Sequence, residues 1–507
     1  MLGKFKNIFS IPNKLNVSKQ NIEKIISING SLEKNLNYLK NKFSNSQDLT
    51  IRNVKISENS AAIITIEGMI DKEILATSVM NPFLSLGWDE KFSPEEKYEY
   101  IKDKVLATSE QVELIDFNKV LELLMSGFAI FMLDGVNKAL AIGIQGFSYR
   151  AISEPVSEVM QKGSREGFVE AIKINMTLVR RRIKNPNLKF ESMTVGSESK
   201  TSICLCYITN MVSEKILNSI KEKIKNIDLK YVLAAEYLTP YLEEDHNFSF
   251  FNSVGFSERP DTVCGKISEG RVAILVDGIP NAIIVPYLFV EYFQTLDDYA
   301  LRPYFATFAR WLKYLSFFVA VLLPGIYVAL GTFNPEVFPN RLINKIAMSI
   351  GYTPFSLLIE TLIIHFVYEI MREAGLRLPK PMGHAVSIVG GLVIGETAVN
   401  ANLIGAPTLM VVALTAISSY VIPSLYEPTA ILRFIFILLG GTLGFLGVSI
   451  AFTFVILDIC SKNNYGIPFS APIVPFRWSL MRDVMGRASW KVLSRKYNKI
   501  QNVTKNN

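Results

Sequence analysis

One carboxylate, Glu396, stands inside the Gly-rich apolar run from Val386 to Ile404, followed by Thr397, Asn400 and Asn402. A carboxylate at bilayer depth costs about 2.5–3.5 kcal/mol on insertion scales, so it is retained where it acts on a polar cargo. Glu396 and Asn400 are one helical turn apart and would share a face. Repeated around the axis of a homo-oligomer, they make a ring of the kind that selects cations. The blander reading puts Glu396 at the membrane interface, with its carboxylate reaching water. Ser387, Gly391, Gly395, Ala398 and Asn402 form a small-residue stripe beside them, suited to close helix approach. A second apolar run carries Glu360, His365 and Glu369. His365 and Glu369 share a face near its end and are expected to be partly solvated. Glu360 lies deeper on another face and serves either an ion path or an interhelical hydrogen bond.

Catalysis has no comparable support. The chain has no P-loop, no GxGxxG after a strand and no HExxH. Its histidines are His246, His365 and His384, and Ser164 lacks the glycine pattern of a nucleophile elbow. The expectation is a protein that is not an enzyme, with no catalytic residue, metal or cofactor. The cysteines lack metal-ligand spacing. Cys204 and Cys206 alternate along one strand, where a bridge is geometrically poor, so buried free thiols in a reducing compartment are expected.

The elements that must position these residues fall into two halves. The chain has 507 residues, 49% of them hydrophobic, and a mean hydropathy of +0.26. Residues before about 310 mix charge with short alternating runs, while the long apolar runs follow. Two pairs of segments repeat in the first half. IEGMIDKEIL from Ile66 resembles ITNMVSEKIL from Ile208, and AIFMLDGVNKALAI from Ala129 resembles VAILVDGIPNAIIV from Val272. Each of the latter pair predicts a hairpin turning at Asp-Gly. The expected fold is therefore α+β/α-helical: duplicated N-terminal cytoplasmic α/β subdomains, a polytopic helical membrane domain and a basic cytoplasmic tail. Its divisions are a helical or flexible segment (1–48), subdomain 1 (49–160), a linking helix with subdomain 2 (161–300), the transmembrane domain (301–460) and the tail (461–507). Ser164 is expected to cap the linking helix. Arg180, Arg181 and Arg182 at its far end complement its dipole, and they are candidates for contacts between domains or subunits.

Four runs are expected to span: Trp311 to Thr332, Pro354 to Met371, Pro407 to Ile422 and Phe434 to Leu457. No signal peptide precedes the first half, and the tail is rich in Lys and Arg, so both ends are placed in the cytoplasm. That requires an even number of spans. Val386 to Ile404 is accordingly read as re-entrant and cavity-lining. A six-span count with a split final segment is the alternative. Gly440, Gly444, Gly447 and Ala451 form a second small stripe, read as packing. No recognition motif makes the basic tail a nucleic-acid patch.

Five stretches, SREGFVEAIKINMTLVRRRIK, SERPD (Ser257 to Asp261), GRVAILVDGIP, EIMREAGLRLPKPMGHAVSIVGGLVIGE and YGIPFSAPIVPF, occur in that order. They resemble the A subunits of spore germinant receptors, the GerA family, over most of the chain. The resemblance implies a multi-pass protein of the spore inner membrane. Its implied partners are a transporter-like B subunit that binds nutrient, a lipoprotein C subunit and membrane lipid. It also implies a homo-oligomer, with a pentamer among its stoichiometries, that releases monovalent cations when germination begins. On the family motifs, Arg165, Glu166, Glu258, Arg259 and Asp261 join the arginine cluster as contact candidates. The chain departs from the family pattern at Lys162-Gly163-Ser164, where Arg-Gly-Pro is usual. A Gln is usual at Glu396 and a carboxylate is common at His365, so Glu396 tunes conduction rather than creating it. A paralogue similar to the stage V sporulation AF protein, a secondary transporter and a non-conducting scaffold are the alternatives.

Overall fold

The computed structural model describes residues 26–502 except 45, 57, 83–91, 106–109, 147–154, 156, 157, 159, 161, 245–248, 338–350, 352, 379–394 and 494–498. The chain divides into two compact units, Met1–Leu39 with Thr50–Gly146 and Lys40–Leu49 with Phe147–Asn507. Each contains a five-stranded sheet of the same topology. The first has β1 (Leu49–Ile56), β2 (Asn59–Ile66), β3 (Gln111–Leu114), β4 (Phe128–Leu133) and β5 (Ala139–Gly143), with helices α1 (Leu32–Lys42) and α2 (Phe117–Leu124). The second has α3 (Ile172–Arg182), β6 (Leu188–Val195), β7 (Thr201–Ile208), α4 (Glu214–Lys225), β8 (Gly255–Ser257), α5 (Pro260–Ser268), β9 (Val272–Val276) and β10 (Ala282–Val285). The strand orders are β1-β2-β4-β5-β3 and β6-β7-β9-β10-β8.

The expected hairpins turn at Asp134-Gly135 and Asp277-Gly278, where both glycines take positive φ, a conformation costly for other residues. The aspartates have a second use. The Asp134 carboxylate accepts the Leu32 N–H at 2.8 Å, and that of Asp277 accepts the Ile172 N–H at 3.2 Å. Each negative charge thus meets the positive end of a helix dipole. Asn35 and Asn175 add the same two-way clasp, to the backbone of Asn29 and Val169 respectively. The duplication therefore begins earlier than the strands. The linking helix is the first element of the second repeat, and α1 is its counterpart. Ser164 is not its N-cap; Ala171 occupies that position.

The second sheet is covered on both faces. Phe168, Leu178, Val179, Val263 and Ile267 pack one side with Cys204 and Cys206, and burial pushes the Cys264 thiol up to about 12. Ile216, Ile220 and Ile224 of α4 cover the other, joined by Tyr465, Ile467, Ala471, Val484 and Ile500. The described part of the basic tail is thus built into this core. It enters through a hairpin with Tyr465 and Gly466 both at positive φ, the backbone of a tight two-residue turn.

Among the described residues, the apolar half contains α6 (Pro303–Phe333), α7 (Leu357–Arg377), α8 (Gly395–Asn400), α9 (Ala406–Tyr420) and α10 (Tyr426–Ser461). Among the described residues, Pro303–Phe333 and Pro423–Ser461 are long and apolar enough to cross a membrane. The expected span from Phe434 to Leu457 is not one helix. Gly444 has φ 64° and ψ −142°, and a Cβ on Gly447 would collide with the Leu439 carbonyl. The chain doubles back there, giving two helices at 426–443 and 445–461. The first runs alongside α6 in the same direction, from Arg433 at Ala320 to Gly444 at Phe333. The second returns, so that Asp458 accepts from Ser249 Oγ at 2.9 Å and the Phe250 N–H at 3.2 Å. Of the small stripe, Gly440 lies against the Gly325 backbone, and a Cβ on Gly325 would meet the Phe436 carbonyl at 2.6 Å.

Gly440→Leu should force α6 and α10 apart and lower the thermal stability of the purified chain by about 1–3 kcal/mol or more. Gly265→Ala, where a Cβ meets nothing within 4 Å, should leave stability unchanged or slightly raised. Equal melting temperatures for Gly440→Leu and the native chain would refute the close contact.

Candidate functional site in the helical bundle

Three buried polar layers run along α7. In the first, Arg433 is fully buried where four helices meet. Its Nε donates to the Ala320 carbonyl of α6 at 3.1 Å, Nη1 to Glu369 Oε1 of α7 at 3.4 Å, and Nη2 to Ser419 Oγ of α9. Glu369 also accepts from Tyr426 Oη and from Arg372 Nε at 3.2 Å, and the Arg372 guanidinium sits 3.6 Å over the Tyr426 ring. One turn away, His365 Nδ1 lies 2.9 Å from the Thr361 carbonyl. A carbonyl only accepts, so this nitrogen carries the proton and Nε2 faces Thr415 Oγ1 at 3.4 Å. In the third layer, Glu360 is wholly buried and Oε1 accepts the Gly405 N–H at 2.8 Å, at the start of α9. Tyr327 and Thr408 bond each other at 3.1 Å.

His365 is thus buried rather than partly solvated, and it fills the space between α7 and α9. Glu360 makes an interhelical bond, one of its two expected uses, and its Oε2 has no partner among the described residues. Hydropathy gives no sign of Arg433 and Tyr426, because the apolar run begins at Phe434, one residue past the arginine, and Ser419 is one small polar residue inside another run. The available signal was a cation at the edge of one apolar run and a carboxylate, Glu369, in another. Buried charges need partners.

Gly395, Glu396, Thr397 and Asn400 all lie on α8. Gly395 is buried against Leu409, whereas Glu396, Thr397 and Asn400 are exposed on the single chain. The backbone turns away at Asn402, which has φ 53°. Gly391 and residues 386–394 of the expected re-entrant segment lie outside the described residues. Among the described residues, no group of His, Cys, Asp and Glu could hold a metal ion.

The motif residues of the α/β half meet one another inside the second unit. Arg180 is 1% exposed and bonds Asp48 at 2.7 Å and the Asn185 and Leu188 carbonyls at 3.1 Å. Arg181 and Arg182 reach Glu166 at 3.1 and 2.5 Å. Arg259 forks onto Asp261 at 3.1 and 2.7 Å and donates to the Ser164 carbonyl at 2.8 Å. The Glu258 backbone carbonyl accepts from the Phe168 N–H at 2.7 Å, and Arg165 is exposed. Burial raises the Glu166 carboxyl, but Arg182 and Arg181 outweigh it and hold the group below its usual range.

A second ionic cluster ties the two halves together. Arg310, fully buried near the start of α6, bonds Asp298 at 3.0 Å and both the carbonyl (2.5 Å) and carboxylate (3.3 Å) of Asp483 in the tail. Lys313 adds 2.9 Å to Asp298.

The second α/β repeat, joined through buried ion pairs to an apolar bundle that contains two helices long and apolar enough to cross a membrane, defines the class of protein. The chain belongs to the Bacillus/Clostridium GerA spore germination protein family, whose family model matches residues 37–498. It is 36% identical over 477 residues to spore germination protein KA of Bacillus subtilis (strain 168), covering 93% of this chain and 87% of that one. It is 34% identical over 472 residues to the uncharacterized membrane protein YfkQ of the same organism (92% and 91%). Spore germination protein GerLA of Bacillus cereus is 32% identical over 456 residues (89% and 92%). Among solved structures, the N-terminal domain of the A subunit of the Bacillus megaterium spore germinant receptor GerK3 is similar. It is 32% identical with a TM-score of 0.40, covering 52% of this chain and 98% of that one.

Arg433→Met should destabilise the bundle by about 3–5 kcal/mol, because Glu369 loses its buried partner. Arg433→Met with Glu369→Met should recover most of that loss, read by thermal unfolding in detergent. A double variant no better than the single one would show that the arginine acts through other bonds. In the α/β half, burial raises the Glu291 carboxyl, but Arg271 and then Lys266 outweigh it, so the group is lowered. A lowered carboxylate contributes stability in full above the ordinary value near ~4.3 and loses it as pH falls through the folded value. The stability difference between the native chain and Glu291→Gln should therefore be widest at neutral pH and shrink in that acid window, as circular dichroism against pH would show.

Proposed function

We propose that this chain is the channel-forming A subunit of a nutrient germinant receptor in the spore inner membrane, and that it releases monovalent cations when germination begins. The observation that carries this reading is α8, a six-residue helix that presents Glu396, Thr397 and Asn400 outward from a chain of this family. In a homo-oligomer these side chains line the axis, where a ring of carboxylates attracts cations. Relatives named as spore germination proteins spanning nearly the whole chain support the receptor role. A nutrient-binding B subunit and a lipoprotein C subunit complete the proposed assembly.

The helix directions support an even number of passes with both ends in the cytoplasm, and they favour the six-pass alternative with a split final segment over four passes with a re-entrant Val386 to Ile404, because α7 and α9 run the same way. Leu357 at the start of α7 packs beside Gly331 near the end of α6, and Ser419 near the end of α9 is level with Ala320 through Arg433. The halves of α10 then run out and back. Arg372, Arg377 and the basic tail fall on one side, as the positive-inside rule asks. A secondary transporter would interrupt its helices near mid-depth. The break at Gly444 is instead level with Phe333, the last residue of α6, where it serves as a turn.

Glu396→Gln should leave assembly intact and change the rate or selectivity of potassium release from germinating spores; unaltered efflux would remove Glu396 from the pore. Lys491→Cys should resist a membrane-impermeant thiol reagent applied from outside, and labelling there would overturn the even count.

A further inference from the structure

The helix α6 is longer than a bilayer needs. Its 31 residues rise about 46 Å, against roughly 30 Å of hydrocarbon. Measured back from Phe333, about 20 residues fill that thickness, which leaves residues 303–313 on the side of the α/β unit. This stretch holds the charges of Arg310 and Lys313, yet its outer face is aromatic. Tyr304, Phe308 and Trp311 are 70%, 56% and 59% exposed, spaced as one helical stripe. The tail lies along the same turns. Trp311 Nε1 donates to the Met485 carbonyl at 2.6 Å, the Arg487 N–H to Thr307 Oγ1 at 3.0 Å, and Trp490 Nε1 to the Tyr299 carbonyl at 3.1 Å. Both indole N–H groups are therefore satisfied within the protein, and the two rings can enter an apolar layer without an orphaned donor. Trp490 and Met485 are themselves exposed.

Charge decides what covers this face. Residues 477–499 carry seven cations, Arg477, Arg482, Arg487, Lys491, Arg495, Lys496 and Lys499, against one acid, Asp483; of these, Arg487 is buried and donates to the Tyr299 carbonyl, and Lys499 donates to the Asn210 carbonyl. Asp483 is already bonded to Arg310 and Tyr299. Exposed Lys491 and Arg302 flank the aromatic stripe. Aromatic rings fringed by cations match the headgroup zone of an anionic leaflet.

We propose that the first turns of α6 and the tail at 485–493 form a collar seated in the headgroup layer of an anionic membrane, with Trp311 and Trp490 at the acyl boundary and Arg302 and Lys491 on lipid phosphates. The collar rests on the reading of α6 as a membrane span, so its test includes a separate control for that span.

The full chain, carrying Trp311 or Trp490 as its single tryptophan, is reconstituted into nanodiscs containing phosphatidylglycerol and lipids brominated at shallow or deep acyl positions. Shallow bromines should quench both tryptophans roughly twofold more than deep ones. Lys491→Glu should reduce quenching of Trp490 to the level seen in phosphatidylcholine alone. Phe318→Trp as the sole tryptophan, about four residues inside the boundary, should be quenched more strongly by deep bromines than Trp311 is. If Phe318→Trp is quenched and Trp311 is not, the collar fails while the span stands. If neither is quenched, the span itself fails. A blue-shifted but unquenched Trp311, the sign of burial against a second copy, overturns the lipid assignment. Quenching of Trp490 that ignores both Lys491→Glu and lipid charge overturns the anionic leaflet.

Discussion

A guanidinium with no exposure to solvent, Arg433, sets the terms for the apolar half. Taking a charge out of water costs several kcal/mol even after relaxation, and only well-placed partners offset it. Those partners come from three other helices: the Ala320 carbonyl of α6, Glu369 of α7 and Ser419 of α9. Each helix must therefore stand at one height and one rotation relative to α10. Hydrophobic packing alone would tolerate sliding between such helices, because lipid and Leu are equally apolar. The ion pair removes that freedom, and the backbone contact of Gly325 with Gly440 fixes the spacing. His365 and Glu360 repeat the arrangement along α7 with neutral and single-bond contacts.

The bundle is bracketed by one folding unit. Before α6 comes the second repeat, and after α10 the chain returns to complete that repeat's core with Tyr465, Ile467 and Ala471. Arg310, Asp298 and Asp483 bind the start of α6, the segment before it and the tail together. A displacement of α6 would strain the tail, and the converse holds as well.

Much of the α/β fold was legible in the chain. The two Asp-Gly turns, the continuous apolar runs of β4 and β9 and the similar spacing of the copies all announce a duplicated α/β domain, because turn chemistry and side-chain alternation are local. The clasps Asn35 to Asn29 and Asn175 to Val169 were equally local but small, so the starting helix of each repeat was missed. In the bundle, Glu360 stood out as a buried carboxylate, and its partner at Gly405 did not, since a backbone N–H leaves no mark in sequence. Glu396, Thr397 and Asn400 were found together and lie together, on one short helix.

Sequence alone determined what is periodic or punctuated within a few residues: the repeats, their turns, the apolar runs and the carboxylates that interrupt them. Tertiary structure decided which charge answers which. Arg433 and Glu369 are 64 residues apart, and Arg310 and Asp483 are 173 apart; no local pattern links such positions. It also decided that the last apolar run is two helices. Gly444 looks like one more small packing residue in a row, and only its left-handed backbone, held against Phe333, turns the chain back. Hydropathy counts residues, whereas direction depends on a single φ.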